Sequence, residues 1–141
     1  MSANDAKIKD LLAVIEKKHT QLGPKPRMSL KTNGLLKQDD KSVNINTINT
    51  LDECIRTIAS INQVHDSYVK AAQLLGIEDV EMPKINGFSI EEWIDDFKLK
   101  VAIIKWTIED KKIKAIELKL KDLRSEDLKT ADALNEISSL L

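Results

Sequence analysis

Gly87-Phe88-Ser89-Ile90-Glu91-Glu92-Trp93-Ile94-Asp95-Asp96 is the stretch on which the fold turns. Ser89 and Glu92 stand three apart, the spacing of a capping box, in which hydroxyl and carboxylate each satisfy an amide at a helix start. Phe88 and Trp93 flank that box as a hydrophobic staple. Glu91, Glu92, Asp95 and Asp96 set negative charge at the positive end of the helix dipole. A helix therefore begins near residue 90. No Gly or Pro follows Gly87, so it can run to about 123, roughly 50 Å if straight. Ser125-Glu126-Asp127 then offers the start of a C-terminal helix over 126–140, with one continuous helix as the competing reading.

Placed at 100° per residue from Ile94, the long helix carries two apolar stripes. Ile90, Trp93, Ile94, Phe97, Val101, Ile104 and Ile108 fall within about 100° and make one core face. Leu99, Ile103, Trp106 and Ile113 fall on the other side, at about 100–180°. A surface helix needs only one stripe, so the second set is predicted to be an oligomer interface, with a twofold dimer favoured. In the competing reading, the hairpin or a folded-back fourth helix covers it within one chain.

Upstream, residues 77–88 form a linker holding Pro83 and Gly87. Before it, Thr50-Leu51-Asp52-Glu53 is a second capping box. It opens a helix over 50–75 whose stripe is Leu51, Cys54, Ile58, Ile61, His65, Tyr68, Ala72 and Leu75, closed by Gly76. Residues 27–48 change period. Met28, Leu30 and Thr32 alternate with Ser29, Lys31 and Asn33, and Val43, Ile45 and Thr47 alternate with Asn44 and Asn46. This predicts a β-hairpin over 27–48, turning either at Asn33-Gly34 or, as strands of similar length favour, within 38–42 with Gly34 as a bulge. A first helix over 5–22 carries Ile8, Leu11, Leu12, Ile15 and Leu22 and stops at Gly23, Pro24 and Pro26. The expected fold is mainly α: one domain over 1–141, a helical bundle of three to four helices with one long helix and an inserted β-hairpin.

Composition narrows the class. The chain has 141 residues, 42% hydrophobic and 32% charged, with a formal net charge of -1. It is too charged to be a membrane protein and too apolar to be disordered. One cysteine cannot form an internal disulfide and fits a reducing compartment. The N-terminal residues lack a charged and apolar leader pattern, so a cytoplasmic location is expected. Charge is segregated along the sequence. Residues 77–96 hold seven acids against Lys84, and residues 98–121 hold eight lysines against Glu109, Asp110 and Glu117. Solvated helix faces explain this, and so does antiparallel packing of acidic on basic segments.

Few residues point to chemistry. His65 lies on an apolar stripe, His19 is distant, and Cys54 has no companion base, so no zinc spacing arises and no metal or cofactor is expected. The best ligand-like segment is Arg27, Lys31, Thr32 and Asn33, where side chains and bend amides could take a nucleotide or other anion. The lysines of the long helix are interrupted by acids and interleave only Trp106, so nucleic acid is not the expected partner.

Two resemblances carry further expectations. Glu78-x-x-Glu81 and Glu92-x-x-Asp95 resemble the paired acids with which all-α nucleoside-triphosphate pyrophosphohydrolases of the MazG type hold magnesium. That family has its first pair on a helix, whereas Glu78 and Glu81 follow Gly76 and neighbour Pro83. Lys31-Thr32-Asn33-Gly34, the Val43–Ile45 strand and the 87–96 stretch give a plan similar to small accessory proteins of unassigned role in bacteriophages. That resemblance implies no activity, and inhibition of a host factor is one use it suggests. The leading expectation is a non-enzymatic, oligomeric interaction protein. The second is a small-ligand binder at the hairpin, and the third a magnesium pyrophosphohydrolase.

Overall fold

The computed structural model describes residues 3–38, 41–78, 80–123 and 130–141. The chain is mainly α with an inserted two-stranded hairpin. In order come α1 (Ala3–Leu22), β1 (Leu35–Gln38), β2 (Lys41–Asn44), a 3₁₀ turn (Ile45–Thr47), α2 (Leu51–Leu74), α3 (Ile90–Lys121) and α4 (Thr130–Leu140). Two compact units arise, residues 26–104 and residues 1–25 with 105–141, and α3 contributes to both.

The Ser89 box forms in both directions, and the Thr50 cap forms through its hydroxyl. The Thr50 hydroxyl accepts the Glu53 amide at 3.2 Å. Glu92 Oε1 accepts the Ser89 amide at 3.2 Å, and the Ser89 hydroxyl accepts the Glu92 amide at 3.3 Å. Phe88 and Trp93 meet edge to face with centroids 6.3 Å apart. The C-terminus of α2 closes with the Ile77 amide on the Ala72 carbonyl at 3.0 Å and the Gly76 amide on that of Gln73 at 3.1 Å, with Gly76 at φ 71°. This is the six-to-one and five-to-two pairing that a left-handed residue permits.

In residues 26–104, Leu36, Ile45, Ile48, Cys54, Ile61, Ile90, Trp93, Phe97 and Ile104 form one buried cluster. A two-stranded hairpin is marginal in water. Here Leu36 and Ile45, 1% and 0% exposed, bury it among residues of α2 and α3. The strands are antiparallel, with Leu36 opposite Val43 and Gln38 opposite Lys41. The turn itself, Asp39-Asp40, lies outside the described residues.

The hairpin is shorter than its alternation predicts. Residues 27–34 keep the expected in–out pattern, with Thr32 and Gly34 buried and Arg27, Ser29, Lys31 and Asn33 exposed, yet they form no strand. Asn33 and Gly34 are both left-handed, at φ 63° and 78°, which breaks an extended run. Gly34 is the last residue of this turn rather than a bulge, and its carbonyl accepts the Ile45 amide at 2.7 Å. The second strand stops at Asn44, because the Asn44 side chain accepts the Asn46 amide at 3.0 Å and starts the 3₁₀ turn. A further two-residue turn, Asn86-Gly87, joins Ile85 to Phe88 in a small antiparallel bridge. Both its residues have positive φ, as a tight hairpin turn requires.

In residues 1–25 with 105–141, Leu11, Ile15, Ile113, Ile116, Leu120, Leu134 and Ile137 form the second cluster. α1, the later turns of α3 and α4 each supply part of it. The stretch in which the C-terminal helix was expected to start, 124–129, lies outside the described residues, and α4 is seen from Thr130.

Candidate functional site

Of the segment Arg27, Lys31, Thr32 and Asn33, Lys31 and Thr32 anchor the bend to α3. Asp96 of α3 is only 2% exposed. Its Oδ1 accepts the Lys31 amide at 2.8 Å, and its Oδ2 accepts the Thr32 amide at 2.8 Å and the Thr32 hydroxyl. The bend does cradle an anion, as successive amides can, but that anion is the chain's own carboxylate. Thr32 is therefore turned inward and engaged. Lys31 Nζ pairs with Asp95 at 2.9 Å. This pair holds the Asp95 carboxyl below the ordinary carboxylate range and raises the Lys31 ammonium. Arg27 and Asn33 are exposed. An external anion approaching Lys31 would meet the Asp95 carboxylate already paired with it.

The acids of the pyrophosphohydrolase reading are also placed. Glu78 and Glu81 are exposed and lie beyond the end of α2. Glu92 serves the Ser89 cap, and Asp95 pairs with Lys31.

The predicted interface on α3 is revised as well. Ile113 sits at 3% exposure in the second cluster beside Leu11 and Ile15. Trp106 is half-buried, and its indole N–H donates to the Gly23 carbonyl at 3.0 Å. Ile103 is 8% exposed and Leu99 half-buried. Ile113, at least, is covered within the chain, and Trp106 is held by the end of α1. The two stripes are largely used in turn: the first serves the 26–104 cluster up to Ile104, and Ile113 of the second serves the other. Ile108, assigned to the first stripe, is 54% exposed because it lies past the point where that cluster ends.

What the 26–104 unit leaves open is a groove between α2 and α3. Ile55, Ile58 and Ala59 line it from α2, and Ile94, Phe97 and Val101 from α3. Cys54 also lines it, and Asn62 and Lys98 are its polar residues. Its volume is about 480 Å³. Ile55, on this lining, is 66% exposed. Cys54 is 2% exposed, and burial pushes its thiol up, with the Lys100 charge a smaller opposing influence. The thiol form is therefore favoured at neutral pH, which makes a poor nucleophile. Sequence reasoning missed this groove because Ile58, Ile94 and Val101 read as core. Ile55 was the available signal, an isoleucine off the main stripe of α2. Among the described residues, no group of three or more His, Cys, Asp or Glu side chains is placed to hold a metal ion. No family model matches the chain, and neither the curated proteins nor the solved structures contain a match to it.

Proposed function

We propose that this chain is a non-enzymatic interaction protein that pairs with a second copy through the groove between α2 and α3. The observation that carries this reading is the exposed Ile55 beside an open apolar groove. A twofold interface is self-complementary, so a knob and a hole on the same patch are what it needs. Ile55 of one copy enters the groove of the other, and the reverse contact follows by symmetry. Isolated exposed apolar residues are ordinary, but an exposed isoleucine on the lip of an apolar groove marks an interaction surface. The test is sedimentation of the intact chain beside Ile55→Glu. The exposed position tolerates a charge in the monomer, whereas a glutamate forced into an apolar groove is left buried and unpaired. A dimer that the substitution dissociates supports the proposal, and a wild-type monomer refutes it.

A further inference from the structure

Lys98, Lys105, Lys112 and Lys119 recur every seventh residue along α3. From Lys105 onward this register lies in the unit that contains α1 and α4. At 100° per residue, Lys105, Lys112 and Lys119 fall within about 40° of one another, about 10.5 Å apart along the axis. All three are exposed, and none forms an ion pair among the described residues. By contrast, Lys114 and Lys121 pair with Asp110 and Glu117 at 2.9 and 2.7 Å. Beside the three lysines run Ile108, 54% exposed, and Ala115, also exposed; on the far side of these two lie Leu118, 63% exposed, and the exposed Lys111. Glu109 lies to one side of the stripe, about 40° from Lys105.

We infer that this face of α3 docks an acidic amphipathic helix of another protein. A seven-residue repeat drifts by about 20° per heptad on a straight helix, the drift that a left-handed pair of helices absorbs. In such a pair, Ile108, Ala115 and Leu118 supply three of the four seam positions, Lys111 at the fourth faces the same acidic partner, and Lys105, Lys112 and Lys119 take the flanking position where opposite charge selects the partner. A second copy does not fit, because an antiparallel copy sets lysine against lysine. A membrane calls for a broad apolar face with basic flanks, and this strip is narrow. Nucleic acid rewards a wide basic surface and has no use for exposed Ile108 and Leu118 between the charges. This surface is separate from the α2–α3 groove, so its test stands apart from that of the dimer.

The probe is a labelled three-heptad peptide with Leu and Ile on its apolar seam and Glu at every flanking position, titrated with the full chain by fluorescence anisotropy. Binding is expected, weakening with salt, and a version with Gln for Glu should bind at least about tenfold more weakly. The triple variant Lys105→Glu, Lys112→Glu, Lys119→Glu, checked for wild-type helix content by circular dichroism, should lose the Glu peptide and accept the same peptide with Lys. That swap separates docking from loss of fold. Equal binding of the Glu and Gln peptides overturns the inference, as does no binding to either. Binding to phosphatidylserine vesicles or duplex DNA in place of the peptide also overturns it.

Discussion

Asp96→Ala should destabilise the 26–104 unit by about 3–5 kcal/mol, a large effect for one side chain of a helix start. The carboxylate is 2% exposed and accepts from two backbone amides and one hydroxyl. A hydrogen bond to a charged group contributes about 1.5–3 kcal/mol, and a buried donor left without a partner costs about 1–3 kcal/mol. The Thr32 amide and hydroxyl are buried, so water does not replace the lost oxygen there at no cost. The Lys31 amide is only part-buried and recovers some of its loss from solvent. Summing the Thr32 losses and part of the Lys31 loss gives the range stated. Guanidinium unfolding followed by circular dichroism reads it directly. Thr32→Val removes the hydroxyl's bond to Asp96 and the acceptor of the Gly34 amide, and should cost about 1.5–3 kcal/mol. Asp95→Ala, one residue away, breaks only an exposed pair and should leave the midpoint where it is. An Asp96→Ala variant within about 1 kcal/mol of wild type would refute the anchoring argument.

Five other substitutions test the local reasoning. Ser89→Ala and Thr50→Ala each remove a capping acceptor and should each cost about 1 kcal/mol in the same unfolding assay. Gly34→Ala should cost more than Gly87→Ala. Both positions are left-handed, a strain of about 1 kcal/mol for alanine, but a Cβ at Gly34 would lie 2.6 Å from Leu30 Cδ1 while one at Gly87 meets nothing within 4 Å. The Glu117 carboxyl is held low first by its hydrogen bond from Lys121 and then by His19. A depressed carboxyl contributes its stability in full above its unfolded value, about 4.3 for Glu, and loses it as the pH falls through the lowered value. Glu117→Gln should therefore flatten the acid limb of a stability–pH curve and leave its neutral-to-basic part parallel to wild type.

Local chemistry was legible and distant chemistry was not. The starts of α2 and α3 follow from Thr50-x-x-Glu53 and Ser89-x-x-Glu92, because a cap is decided by residues three apart. The 27–34 segment was read as a strand because alternation records which side chains face inward, not where the amides bond. Its amides go to Asp96, some 64 residues away in sequence. In the sequence Asp96 is one more acid at the helix dipole, and only the tertiary packing shows it buried. Periodicity shows the second stripe of α3 and offers a folded-back fourth helix as one cover, and Leu134 and Ile137 of α4 do share the cluster of Ile113. Periodicity shows that Ile113 must be buried, whereas only the tertiary packing shows Leu11 and Ile15 against it. Asn86-Gly87 was a stronger turn signal than its place in a linker suggested.

Sedimentation velocity of the intact chain at micromolar concentration, run beside Ile55→Glu, tests the central claim most directly. The account predicts a dimer for the wild type and a monomer of unchanged helix content for the variant. A wild-type monomer, or a variant that stays dimeric, would contradict it.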